Sequence, residues 1–282
     1  SVAAAAAAVG RTVWRCAVAA VVIEPVCSQT GAQLLPTAAA ALRRVCDDFG
    51  AVLISDETRC GLGRCGPLLC GGSARLAPDA TTLGEALGGG YCGAAAVVYD
   101  TRRLGRGPFP STATMANDNL ASHIGLATLG ALTRRAHATI DDADRFEMAV
   151  RRALQGGASG AGRGASVGGR GLMLCVAFDA ATLAPLRGLL AATRDGAGLH
   201  SWPCNLVLHA YLLRAHGVRT RPSGADPHAL LVEPPAVISS GSTGRVCAAL
   251  RQLALFVASG DVVALLEGAF GQAGDGQAKL LP

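Results

Sequence analysis

Lysine is nearly missing from this chain of 282 residues. Of its 25 basic residues, Lys279 is the only lysine, and it stands beside the C-terminus. The body of the chain therefore offers no side-chain amine for covalent or base chemistry. Charge is also sparse: 16% of residues are charged and half are hydrophobic, which excludes a chain too polar to bury a core. The net charge is only +5 and the arginines are scattered. No basic run is interleaved with aromatics, so nucleic acid is not an expected partner. No C-x-x-C pair occurs among the ten cysteines. Cys60, Cys65 and Cys70 are evenly spaced, but five-residue steps are not a usual zinc pattern. Several cysteines lie inside apolar runs, as buried reduced thiols do, so an intracellular protein is expected, in cytoplasm or organelle lumen, with a metal site as the lesser reading. No apolar run is long and clean enough for a membrane span. The alanine-rich start, Ala3 to Ala8, has no basic leader and runs on into Arg11 and Trp14, so it reads as a helix feeding a strand rather than a signal peptide. The absent initiating methionine reads as processing, or as a piece of something longer.

What is present has an α/β rhythm. Residues 16–23 (CAVAAVVI) and 51–55 (AVLIS) are short continuous apolar runs, the mark of buried parallel strands. Between them residues 37–49 predict a helix, with Thr37 as N-cap and Gly50 just past its end. Strand, helix and strand make a βαβ unit. Asp56 and Glu57 close the second strand, where α/β sheets place ligand-binding groups. Residues 68–80 read as a loop. A polar turn at Pro78 and Asp79 leads into a short apolar run, Glu85, and the cluster Gly88, Gly89, Gly90. Residues 93–99 predict a third strand. Helices are expected over 119–133 and 140–155, the latter with acids early and arginines late, as the helix dipole prefers. Glycine-rich residues 156–170 read as a flexible connector. A strand over 171–178, helices over 181–195 and 203–216, short strands near 217–222 and 229–232, and helices over 242–258 and 260–269 complete the pattern. Residues 271–282 are expected to be a disordered tail.

Two separated motifs carry a family resemblance. The first is Ala19-Ala20-Val21-Val22-Ile23-Glu24-Pro25-Val26, followed by Leu42-Arg43, Cys46, Gly50, Asp56-Glu57, Gly61, Gly63-Arg64 and Gly66. The second is Pro78-Asp79, Thr82, Gly84, then Ala86-Leu87-Gly88-Gly89-Gly90 and Gly93. In this order they resemble the class-III pyridoxal-phosphate-dependent aminotransferases, of fold type I. Gly171 to Phe178 and Pro234-Pro235 extend the resemblance over nearly the whole chain, but only over the later part of the family's pattern. The fold it implies is α/β: a partial large domain over residues 1–131, with a mostly parallel sheet, and a C-terminal α+β small domain over 132–282.

The resemblance also implies a site. Asp56 falls on the aspartate that pairs with the pyridine nitrogen and strengthens the ring as an electron sink. Glu24 and Thr58 fall among the cofactor-site residues. Arg59 replaces the glutamine that reaches the ring oxygen. Thr114 falls on the phosphate-binding threonine that the family donates across a dimer interface, and Asp118, just after it, puts an unfavourable acid near that phosphate. His123 reads as a satisfied helix histidine. Leu231 stands where many members carry an arginine for the substrate carboxylate. Glu85 occupies the position of the Schiff-base lysine. A carboxylate forms no imine, so the aldimine, the nucleophile and the proton-shifting base are lost together. The family's earlier phosphate-gripping turn and ring-stacking aromatic precede the matched region.

The expectation is a catalytically inactive homologue, a pseudoenzyme, acting in a homo- or heterodimer through the large domain, with no tight pyridoxal phosphate binding. The alternative is a fragment of an active enzyme that moves an amino group from an amino donor to a 2-oxo acid. A third arrangement has a separate chain supplying the early half.

Overall fold

The computed structural model describes residues 18–106, 118–155, 164–192 and 203–271. The chain divides into two compact units, one within Ser1–Ser28 and Ala32–Ala143, the other within Gln29–Gly31 and Asp144–Pro282. No helix among the described residues is long and apolar enough to cross a membrane.

The first unit is built on strands β1 (Ala20–Ile23), β2 (Val52–Glu57), β3 (Ala80–Leu83) and β4 (Ala96–Tyr99), adjacent in that order. β1, β2 and β3 run parallel, and β4 is antiparallel to β3. Helix α1 (Pro36–Phe49) joins β1 to β2. Its start differs from expectation. Pro36 occupies the first turn and Leu35 is the N-cap, with no side-chain cap bond, so Thr37 does not cap it. Proline lacks the N–H that a cap would satisfy, and its fixed φ suits the first helical position. Gly50 ends the helix at φ 68°, its N–H returning to the Cys46 carbonyl. The buried residues Ala38, Ala39, Leu42 and Cys46 fall on one face, and Ala39 and Cys46 join Ala51, Leu53 and Leu76 in one apolar cluster.

The structure adds two elements where the sequence predicts a loop and a turn: a short helix α2 (Cys70–Ser73) and β3 itself. The expected third strand is thus the fourth of the sheet. β3 reads Ala-Thr-Thr-Leu, the start of the short apolar run before Glu85, and with two threonines in four residues it is too short and too polar to mark a strand. It is held at its start by Asp79, which is 4% exposed. The Asp79 carboxylate accepts the Leu53 N–H at 2.7 Å and pairs with Arg43 at 3.0 Å and Arg103 at 2.8 Å. Burial pushes that carboxyl up, but the Leu53 amide and the two arginines outweigh it and hold it below the usual carboxylate range. Arg103 lies on helix α3 (Thr101–Leu104), which follows β4. Helix α4 (Asn119–Arg134) comes next, then α5 (Ala136–Leu154).

The second unit carries an antiparallel sheet of β5 (Ala165–Arg170), β6 (Met173–Phe178), β8 (Ala229–Val232) and β7 (Arg221–Pro222), in that spatial order. β5 lies in the stretch predicted as a connector; its backbone pairs fully with β6 despite its two glycines. Arg151 of α5 donates to the Val167 and Gly169 carbonyls, and Glu147 accepts the Gly171 N–H at 2.7 Å, so the helix holds the β5–β6 hairpin by its edge. Helices α6 (Ala184–Ala192), α7 (Cys204–His216), α8 (Ser240–Ser259) and α9 (Val262–Phe270) complete the unit. Ser239 and Asp261 cap α8 and α9 through their side chains. Leu208, Leu212, Leu230, Leu250 and Leu253 are fully buried.

Candidate functional site

The predicted site residues converge on the carboxyl ends of three neighbouring parallel strands, where open α/β sheets bind ligands. Glu24 follows β1, Asp56 and Glu57 end β2, and Glu85 follows β3. The β2–β3 register sets Asp56 opposite Thr82. Asp56 Oδ1 accepts three hydrogen bonds, from Thr82 Oγ1 at 2.9 Å, Thr58 Oγ1 at 2.7 Å and Thr58 N at 3.1 Å. Burial alone would raise the Asp56 carboxyl. The Thr58 and Thr82 donors overcome it, so the group sits below its ordinary value and is ionised at neutral pH. An ionised, oriented carboxylate at a strand end is fitted to a cationic ring nitrogen. Thr82 is the functional residue that the sequence reading missed. Its place in the second motif was visible, but its partner depends on the strand register.

The same 26-residue offset that joins Asp56 to Thr82 joins Arg59 to Glu85. Arg59 Nη1 lies 3.2 Å from Glu85 Oε1, and the Glu85 side chain is 63% exposed. Glu85 opens a 3-10 turn (Glu85–Gly88) with a φ of 21°, at the edge of the left-handed region. Leu87 anchors that turn. It is buried with Leu62 and Leu83, and Leu129 and Leu132 of α4 pack against this cluster. The apolar residue goes in and the charged one faces out, so the position that the sequence reading matched to the family's lysine presents a paired carboxylate.

Glu24 turns to its own loop, where its Oε2 accepts the Ser28 N–H at 3.0 Å. It is not joined to Asp56 by any hydrogen bond among the described residues. Glu57, next to Asp56 in sequence, points to the other face of β2, as strand alternation requires, and is 1% exposed. Thr114 lies outside the described residues. Asp118 is the N-cap of α4 and accepts the Ala121 N–H at 2.8 Å, a structural use that the sequence reading did not assign. His123 Nδ1 lies 2.7 Å from the Asn119 carbonyl oxygen, as a satisfied helix histidine should. Leu231 is buried in β8 of the second unit, opposite Cys175 of β6 and Arg221 of β7. Arg221 pairs with Glu233 at 3.2 Å.

This arrangement has relatives. A family model described as aminotransferase class-III matches residues 2–253. Among solved structures, the ornithine delta-aminotransferase of Plasmodium falciparum is 21% identical with a TM-score of 0.69, over 90% of this chain and 61% of that one. The ornithine aminotransferase of Toxoplasma gondii is 21% identical with a TM-score of 0.70, over 90% of this chain and 55% of that one. An aminotransferase of Bacillus anthracis is 19% identical with a TM-score of 0.68, over 88% of this chain and 55% of that one. At these identities the likeness is one of fold. The chain spans 55–61% of the length of these structures. The two sequence motifs, the mixed sheet with its acids at the strand ends, and a family match over most of the residues lead to one assignment: the chain belongs to the class-III aminotransferases.

Proposed function

We propose that this chain is a class-III aminotransferase homologue that does not transaminate. The observation that carries this reading is the Arg59–Glu85 ion pair at the place of the family's lysine, 3.2 Å long. When bound, pyridoxal phosphate supplies an electron sink that acidifies the substrate carbon. The residues present fit that group in one respect and fail it in another. Asp56, held ionised by Thr58 and Thr82, suits the ring nitrogen. Glu85 offers no amine to condense with the aldehyde, and its carboxylate is engaged by Arg59. No catalytic step through the cofactor is therefore derived for this chain. Glu85 also adds negative charge beside an anionic ligand, while Arg59, the nearest counter-charge, is engaged by it. In this reading residues 1–131 are the later part of the large domain, residues 132–282 the small domain, and the chain acts as a subunit of a homo- or heterodimer.

A second reading draws on the Asp56–Thr58–Thr82 network: a site with an intact ring-nitrogen partner is compatible with a fragment of an active transaminase. One experiment separates the two. Protein isolated from its source is treated with pyridoxal phosphate, reduced with borohydride, and weighed intact, with adducts mapped by peptide. A mass equal to this sequence with no adduct outside Lys279 and the N-terminus supports the inactive subunit. A longer chain carrying one phosphopyridoxyl group at position 85 overturns it and restores the enzyme.

A further inference from the structure

Behind Asp56, on the opposite face of β2, the structure gathers soft donors that the aminotransferase reading does not use. Glu57, Cys60 and Cys70 are all buried, and their donor atoms lie within 4.8 Å of one another. The Cys70 thiol donates to the Cys60 carbonyl at 3.1 Å, and Cys65 is a near neighbour of Cys70. Cys65 is itself fully buried, and none of the three is in a disulfide. The five-residue spacing that argued against zinc in the sequence is bridged by the fold. The loop after β2 returns through Cys65 to α2, where Cys70 N donates to Glu57 Oε2 at 2.5 Å and Gly71 N to Glu57 Oε1 at 2.7 Å.

Two features make this a built site rather than a cluster of core cysteines. The first is the buried carboxylate. Its oxygens accept the two amides and the Ser55 hydroxyl, yet no basic side chain pairs with Glu57 among the described residues. Buried charges are generally paired or bound to metal. The second is the cradle around it. A Cβ on Gly61 would stand 2.9 Å from Glu57 Cβ, and one on Gly71 would stand 3.1 Å from Glu57 Oε1, so glycine at both positions leaves room for the carboxylate.

We propose that Glu57, Cys60, Cys65 and Cys70 form a tetrahedral site for a divalent soft metal of the zinc class. Tetrahedral zinc with thiolate bonds of about 2.3 Å sets neighbouring donors about 3.8 Å apart. The mutually close donors, Glu57, Cys60 and Cys70, need contract by no more than about 1 Å to reach that spacing. Binding is M²⁺ exchanged for protons: the three thiols bind as thiolates and their protons leave to solvent, while Glu57 binds as a carboxylate. The metal would clamp the end of β2 to α2, on the reverse side of the strand that carries Asp56.

The test uses the purified full chain, reduced and then freed of reductant. Cadmium chloride is titrated in while the ultraviolet thiolate-to-metal charge-transfer band is followed, and zinc is then added in competition. One equivalent of cadmium should bind with that band, and zinc should abolish it. Cys60→Ser and Cys70→Ser should each weaken cadmium by more than about tenfold. Cys247→Ser and Cys92→Ser should leave it unchanged. Because a core variant can fail to fold, the wild-type chain supplies a second readout: alkylation under native conditions followed by peptide mapping. Zinc should protect Cys60, Cys65 and Cys70. No charge-transfer band at excess cadmium, a band that survives in a folded Cys60→Ser/Cys70→Ser double variant, or protection confined to other cysteines would overturn the site.

Discussion

At the end of β2, Asp56 is partly buried and receives three hydrogen bonds. At the end of β3, Glu85 has a side chain 63% exposed and meets one guanidinium. Both acids stand at the carboxyl ends of neighbouring strands of one sheet, and each meets a residue 26 positions away, Thr82 for Asp56 and Arg59 for Glu85. The backbone thus treats the two places alike, and the side chains do not. Asp56 is built into its surroundings, with donors aimed at it before any ligand arrives. Glu85 rides on a turn whose hold on the protein is Leu87. A substitution at such an exposed position should leave the fold intact, because little of the packing rests on its side chain.

The comparison breaks most completely if the shared frame is removed. Asp79→Ala takes away the acceptor for Leu53 N–H and the buried partner of Arg43, which keeps only Asp47 and the Ala77 carbonyl, so β3 loses its attachment to β2 and α1. We expect a loss of about 3 kcal/mol, read from urea unfolding, with the ends of both strands affected together. Acid should weaken the same frame. The Asp79 and Asp56 carboxyls are held below their ordinary values in the folded chain. Below the unfolded value of about 3.9 the unfolded chain takes up protons first, so this stability is present above that pH and is lost as pH falls through the folded values. The urea midpoint should therefore drop as pH falls below about 4, and the drop should be shallower in a folded Asp79→Asn variant.

A finer cut separates the two ends. Thr82→Val removes one of the donors of Asp56 at nearly constant shape. It should cost about 1 kcal/mol and move the Asp56 carboxyl upward, measured by carboxyl-carbon NMR titration. An unmoved Asp56 would mean that Thr58 alone sets its charge. The smallest effect belongs to Glu85→Gln. An exposed pair contributes about 0.5 kcal/mol at most, so thermal unfolding should barely shift. A large loss would show that Glu85 is part of the frame after all, and the contrast between the two strand ends would disappear.

Several elements were legible because their signals are local. The apolar run of β2 was bounded by Gly50 and an acid pair. The αL glycine after α1 and the Ala229–Val232 strand were found where they were expected. Other elements were hidden because their reasons are distant. β3 has two threonines in four residues, and what makes it a strand is its seat between β2 and β4. β5 carries paired glycines that suggested a connector, and the neighbouring strand decided otherwise. Thr37 and Asp118 both turned on helix starts. Pro36 displaced the first from the cap position, while the second became a cap instead of a misplaced charge.

By itself, the sequence determined the α/β order, the acids at strand ends, the glycine turn after position 85, and the absence of any lysine in the body of the chain. These follow from residue type, spacing and backbone preference, which act over a few residues. Only the tertiary structure decided that Thr82 orients Asp56, that Arg59 holds Glu85, that Asp79 pins β3, and that Cys60 and Cys70, ten residues apart, meet a buried glutamate. Those contacts require strands to choose neighbours and register. That choice is made by the burial of the whole sheet and not by any one segment.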